Sequence, residues 1–97
     1  MAELLKLDGT STPITPENGV NFQLDELYKL IECESIEVIY LKHGTTDDDL
    51  IMIGDEEGRW DEAEENPLAT MLYRAKWGPK AANIVGNIVL CPSSMLK

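Results

Sequence analysis

Apolar runs separated by polar, turn-forming stretches predict a small domain that alternates between strands and helices. Runs rich in β-branched and aromatic residues have the length of strands, and two longer stretches repeat apolar residues with a helical period. The predicted strands cover residues 3–7, 36–41, 50–53 and 84–91, and the predicted helices cover about 22–32 and 67–77. The order β-α-β-β-α-β predicts an α+β two-layer sandwich, with a mostly antiparallel sheet and both helices on one face.

The first predicted helix carries an apolar stripe that an amphipathic helix would bury. Leu24, Leu27, Tyr28 and Ile31 recur at i, i+3, i+4 and i+7. Asn21 stands before the stripe, where its side chain would accept from a free backbone N–H, so we expect it to cap the helix.

The second predicted helix has the clearest boundaries in the sequence. Asn66 is a capping residue, Pro67 suits the first helical position, and Gly78 followed by Pro79 ends the helix. The predicted apolar face consists of Leu68, Met71, Leu72 and Ala75.

The strand patterns predict how the sheet is connected. Residues 36–41 are apolar on both faces, which suits an inner strand. They precede residues 50–53 across a loop with Gly44, so an antiparallel hairpin is expected. Residues 10–19 contain two prolines and predict a connection with room for one edge-strand fragment. Gly86 is a candidate bulge or point of close approach within the last strand.

Length and composition favour one folded domain spanning residues 1–97. The chain has 97 residues and 43% of them are apolar, which suits one core but not two. Apolar runs are far shorter than the roughly 20 residues that span a bilayer, and Asp8 interrupts the N-terminal run, so we expect a cytoplasmic protein without membrane contact. Cys33 and Cys91 lack metal or redox spacing, which predicts reduced, buried thiols.

Acidic residues are concentrated in one part of the chain, which we call the acidic belt, residues 47–65. The formal net charge is −10, from 18 acidic and 8 basic residues, so direct nucleic-acid binding is not expected and a partner should be a basic or neutral protein. The carboxylates of the belt are Asp47, Asp48, Asp49, Asp55, Glu56, Glu57, Asp61, Glu62, Glu64 and Glu65.

Three interpretations of the acidic belt remain open at this level. It can be a solvated surface, a docking face for a basic partner, including mimicry of DNA phosphates, or a divalent-metal site. The spacing of a calcium-binding EF-hand loop is absent, which makes a metal site the weakest of the three, and no metal is expected.

Catalytic signatures are absent from the sequence, so we expect a protein that is not an enzyme and needs no cofactor. There is no nucleophile elbow, phosphate-binding loop, zinc-protease motif or dinucleotide fingerprint. The single histidine, His43, lies in a Lys-His-Gly turn and is expected to be solvated. Trp60 and Trp77 are expected in the core, and either one would anchor an interface if it were exposed.

Four segments taken in order resemble a family of small acidic domains of unknown function, common in phages, plasmids and their bacterial hosts. They are residues 37–41, the strand and acidic turn at 50–58, the Asn-Pro-Leu-Ala-Thr helix start at 66–70, and Ile-Val-Gly-Asn at 84–87. The resemblance covers about residues 23–91. The loop at 42–49 and the charged stretch at 61–65 depart from the family pattern. The resemblance implies an accessory protein of a mobile element and assigns no catalytic or ligand residues.

Together these observations predict a non-enzymatic accessory protein of a phage or mobile element. It would bind a host protein through the acidic belt and Trp60, and mimicry of DNA phosphates would be one form of that contact. The alternative is an oligomeric module that sequesters a small ligand or nucleotide, with Arg59, Arg74, Lys76 and Lys80 as the available anion anchors. A flat acidic face would favour the first hypothesis, and a pocket lined by those cations would favour the second.

Overall fold

A computed structural model describes residues 2–41, 49–57 and 64–96. Within these ranges the chain forms five strands, two helices and one short 3-10 turn. The elements in chain order are β1 Ala2–Leu5, β2 Ser11–Ile14, α1 Leu24–Ile31, β3 Ile36–Tyr40, β4 Leu50–Asp55, α2 Pro67–Trp77, β5 Ile88–Pro92 and the 3-10 turn Ser93–Met95.

The strands form one antiparallel sheet in the order β2-β1-β5-β4-β3. The α+β class, the predicted order of elements and the β3–β4 hairpin are therefore confirmed. The proline-containing connection does supply an edge strand, β2, in which Pro13 pairs with Glu3 of β1. Proline fits an edge because it has no N–H to donate to a further strand.

The two helices lie on opposite faces of the sheet, so the prediction that both pack on one face is wrong. Residues alternate between the two sides of a strand, and the core divides accordingly. Ile51 and Ile53 belong to the cluster that packs with α1, whereas Met52 belongs to the cluster that packs with α2. The physical reason is that β4 and β5 carry apolar side chains on both faces of the sheet, so each face is buried by a helix.

Helix α1 is shorter than predicted because its cap is Gln23 and not Asn21. The backbone N–H of Gln23 donates to the Glu26 carboxylate at 3.3 Å, and Asn21 instead accepts from the Gln23 side chain at 2.9 Å. Leu27 and Ile31 are buried as the stripe predicts, but Leu24 in the first turn is 49% exposed.

Helix α2 has the predicted boundaries but presents a different face to the core. Asn66 caps it and accepts from the Ala69 N–H at 3.1 Å, Pro67 is its first residue, and Gly78 ends it. Ala69 and Thr70 are buried, whereas Met71 is 60% exposed. The predicted face is thus wrong at Met71 and at the exposed Ala75, and the partly buried apolar residues are Leu68, Leu72 and Tyr73.

Two strand predictions also need correction. β3 is an edge strand in the sheet order and not an inner one. β5 begins at Ile88, because Gly86 takes a left-handed φ of 78° and interrupts the predicted strand. A Cβ at Gly86 would have no atom within 4 Å, so close packing does not require glycine at this position. The glycine instead allows the left-handed backbone conformation of the turn. In the described ranges no helix has the length and apolar character needed to cross a bilayer.

Candidate functional site

A cleft of about 360 Å³ opens beside β3 on the α2 side of the sheet. The cleft is lined by residues 37–40 of β3, residues 54–56 at the end of β4, Tyr73 of α2, residues 83–85 and Ile88 of β5. Its walls therefore come from the sheet edge, the second helix and the segment that precedes β5.

A glycine lies opposite a glutamate in the lining of the cleft. Glu37 of β3 pairs with Gly54 of β4, so the exposed Glu37 side chain has no side chain across from it. A Cβ at Gly54 would lie 2.7 Å from Cδ1 of the buried Ile88, so a side chain at this position would have to displace the end of the Ile88 side chain. The sequence pattern did not single out Glu37 or Gly54, because only the strand register brings them together.

The lining of the cleft is acidic. It includes Glu37, Asp55 and Glu56, and its described residues include no Lys or Arg. The acidic turn is held in place, since the Glu57 N–H donates to Asp55 Oδ1 at 2.9 Å and the Glu56 N–H donates to the Ser35 carbonyl at 3.2 Å. The position of these acids is therefore fixed by the β3–β4 hairpin, although their carboxylates stay accessible.

The structure separates the described acids of the acidic belt instead of gathering them in one place. Asp55, Glu56 and Glu57 lie at one end of β4, whereas Asp49 precedes the other end, about 20 Å away for a strand of this length. Glu64 and Glu65 are exposed beside the cleft wall, because the Gly86 N–H donates to the Glu64 carbonyl and Glu65 pairs with Val85.

Five predicted contact residues lie outside the described residues. They are Asp47, Asp48, Trp60, Asp61 and Glu62. His43 and Arg59 lie outside them as well. The predictions made for these side chains stay predictions.

Two buried polar side chains hold the wall formed by residues 83–86. Asn66 is fully buried, and its Nδ2 donates to the carbonyls of Leu5 and Gly86, both at 2.9 Å. The Thr70 hydroxyl donates to the Ile84 carbonyl at 3.1 Å and accepts from the Ile84 N–H at 2.9 Å. These buried polar groups all have hydrogen-bond partners. Their hydrogen bonds connect the start of α2 both to β1 and to the cleft wall.

Aromatic side chains stand at the end of the cleft where β3 finishes. Trp77 is 38% exposed, and its Nε1 donates to the Tyr40 carbonyl at 2.9 Å. The rings of Tyr73 and Trp77 are 6.4 Å apart at an interplanar angle of 48°. The expectation that Trp77 lies in the core is thus only partly met, because its side chain is partly exposed.

Arg74, Lys76 and Lys80, the described cations among the predicted anion anchors, do not line the cleft. Arg74 donates from Nε to the Ala81 carbonyl at 3.1 Å and from Nη2 to the Asn83 side chain. Lys76 and Lys80 are exposed at the end of α2 and beyond it. The structure therefore offers a concave site, but with acids in place of the cations that a nucleotide would need.

Neither cysteine forms part of a reactive or metal-binding group in the described part of the chain. Both thiols are free, and no group of three or more potential metal ligands occurs among the described residues. Burial raises the pKa of the Cys91 thiol to about 11. Burial, followed by the negative charge of Asp55, raises the pKa of Cys33. Both shifts favour the protonated, unreactive thiol.

Comparison with known proteins gives no relative for this chain: no protein-family model, curated protein or solved structure matches it. The resemblance to the small acidic phage and plasmid domains therefore stays a prediction based on motifs.

Proposed function

We propose that this chain is a non-enzymatic binding protein that holds a basic segment of a protein partner at the cleft beside β3. The observation that carries the proposal is the cleft itself, a concave surface with Glu37, Asp55 and Glu56 in its lining and no cation among its described lining residues. Such a site attracts Lys and Arg side chains and disfavours acidic ones.

The whole chain reinforces the charge of the cleft. Its net charge of −10 attracts basic partners over distances up to roughly the screening length, about 8 Å at physiological salt. Glu64 and Glu65 extend the acidic surface next to Val85, at the wall of the cleft. Asp49, near the other end of β4, lies outside this contact surface.

The motif resemblance to small phage and plasmid domains adds a narrower form of the proposal. If the motif resemblance holds, the partner is a host protein and the chain is an accessory protein of a phage or mobile element. Mimicry of DNA phosphates then predicts a partner that normally binds DNA. This part rests on the resemblance and on charge.

The alternative function, sequestering a small ligand, keeps one supporting observation. The cleft volume of about 360 Å³ falls in the range of about 300–1,000 Å³ that is usual for small-molecule sites. Its acids suit a cationic molecule such as a polyamine and not a nucleotide. Titration with spermidine separates this alternative from a protein partner.

Selection from a library of random displayed peptides tests the proposal without naming the partner. We expect the selected peptides to be rich in Lys and Arg, and their Kd to rise several-fold between about 50 and about 200 mM salt. Glu37→Gln and Glu56→Gln should each weaken binding by about threefold to tenfold, as expected for exposed or partly desolvated charge pairs.

Glu17→Gln is the matched control, because it removes the same charge from an exposed residue that follows β2 at the opposite edge of the sheet. Equal weakening by all three variants would mean general attraction to an acidic protein and would overturn the assigned site. Selected peptides without basic residues, or saturable spermidine binding with no peptide binding, would overturn the proposal as well.

A further inference from the structure

The edge formed by β3 carries backbone groups that point away from the sheet. Hydrogen-bonded and non-bonded pairs alternate along an antiparallel ladder. The Glu56 N–H donates to Ser35, and Glu37 pairs with Gly54 two positions further on. Glu37 and Ile39 therefore direct their N–H and C=O groups to β4, while Ile36, Val38 and Tyr40 direct theirs outward.

Only the last of these outward positions has a partner among the described residues. The Tyr40 carbonyl accepts from Trp77 Nε1, which ends the open edge at this residue. The described residues provide no hydrogen-bond partner for the outward groups of Ile36 and Val38. Two N–H and two C=O groups are thus in position to pair with a further strand.

The sequence of β3 fits a strand with neighbours on both sides. Ile36 and Val38 are only half-buried against the α1 cluster, although both are β-branched residues suited to an inner position. Edge strands are usually protected by proline or by several charges. The opposite edge has Pro13, but β3 has no proline and Glu37 is its only charge.

We infer that β3 binds its partner by strand addition, pairing with an extended segment in which apolar and basic residues alternate. This inference rests on the proposed function and specifies its partner. Apolar side chains of the added strand would lie along Ile36 and Val38 on the α1 face. Basic side chains would lie on the other face, beside Glu37 and the acidic cleft. Backbone hydrogen bonds to β3 would supply affinity, and the alternation of apolar and basic side chains would supply specificity.

Charge argues against a second copy of this chain as the added strand. Pairing two β3 strands would bring two copies of Glu37 to one short ladder between molecules that each carry a charge of −10. Like charges at facing positions destabilise a sheet. The partner is therefore a different, basic chain.

A capped nonapeptide of alternating valine and lysine is the probe for this inference. On binding, backbone amide exchange at Ile36 and Val38 should slow by about tenfold or more, whereas exchange at Glu37 and Ile39, already bonded to β4, should change little. N-methylation of one of the two alternate sets of peptide residues, the valines or the lysines, should abolish binding, because it removes the N–H groups that face β3. N-methylation of the other set should leave Kd within about threefold.

Variants of Val38 give an independent test from the side of this chain. Val38→Pro removes an outward N–H without removing a ladder hydrogen bond, and it should abolish peptide binding. Val38→Thr keeps the N–H and the β-branched shape, and it should bind. The N-methylated peptides decide the matter if the proline variant does not fold.

The outcomes separate this inference from the proposed function. If Glu37→Gln weakens binding of the probe but both N-methylated series bind equally, the acidic site stands and strand addition is wrong. If Glu37→Gln and Glu17→Gln have equal effects, the assigned site is wrong as well. Slowed exchange at Ile36 and Val38 that depends on protein concentration, without peptide, would identify a second copy as the occupant and overturn the inference.

Discussion

At the scale of residues, the Asn66 side chain joins α2 to β1 and to the wall of the cleft. It caps α2 through Oδ1 and donates through Nδ2 to Leu5 of β1 and to Gly86. The sequence predicted the cap, because Asn before Pro is a local signal. It did not predict the two bonds from Nδ2, because their acceptors are 61 and 20 residues away.

We expect Asn66→Ala to lower the free energy of unfolding by about 2–4 kcal/mol, since it removes a cap and leaves two carbonyls without their donor. Asn66→Asp should retain the capping oxygen but place it beside carbonyls that need a donor, so it should also be strongly destabilising. Urea unfolding measures both. A loss below about 1 kcal/mol in Asn66→Asp would show that the bonds from Nδ2 contribute little.

The raised pKa of Cys91 predicts that the folded state loses stability at alkaline pH. Burial raises its pKa to about 11 in the folded state, against an ordinary value of 9.0. The folded state therefore favours the protonated thiol, and this stabilisation is present below about pH 9 and is lost as pH rises toward about 11. The unfolding free energy of the native chain relative to Cys91→Ala should fall by about 1 kcal/mol between about pH 7 and about pH 10. A difference that is independent of pH would contradict this assignment.

At the scale of elements, α2 shows where sequence periodicity fails. Its ends follow from Asn66, Pro67 and Gly78, but its rotation follows from buried polar bonds made by Asn66 and Thr70. A hydrophobic pattern contains no information on those bonds. It therefore assigned Met71 to the core in place of the small residues that pack there.

The corrected face of α2 can be tested with two substitutions. Ala69→Leu should destabilise the fold by about 1–3 kcal/mol, because Ala69 is fully buried and an added side chain overpacks the core. Met71→Gln should change the unfolding free energy by no more than about 0.5 kcal/mol, because Met71 is largely exposed. Thermal or urea unfolding of both variants would give the opposite ranking if the sequence pattern were right.

The sheet shows a similar division between local and distant information. The apolar runs in β4 and β5 are typical of strands covered on both faces, but the prediction of both helices on one face did not take this signal into account. The edge position of β3 had no such signal, since its composition is that of an inner strand. The mismatch between its composition and its place in the sheet order is what supports strand addition.

At the scale of the whole molecule, the sequence predicted an acidic protein but not where its acids meet a concave surface. The acidic belt runs along the chain, yet Asp49 and Asp55 are at opposite ends of β4. Glu37, which lies outside the belt, belongs to the cleft because of its pairing with Gly54. The clustering of acids along the sequence therefore predicted Asp55 and Glu56 as part of the site. Only the strand register shows that Glu37 belongs to it as well.

The most direct test of the central claim is an amide chemical-shift map of the whole chain during titration with a selected basic peptide. The acidic cleft predicts that the largest shifts occur in residues 36–40, 54–56 and 83–85, and that they saturate together with one Kd. Small shifts spread over all acidic surfaces, or the largest shifts near Pro13 at the opposite edge, would contradict it.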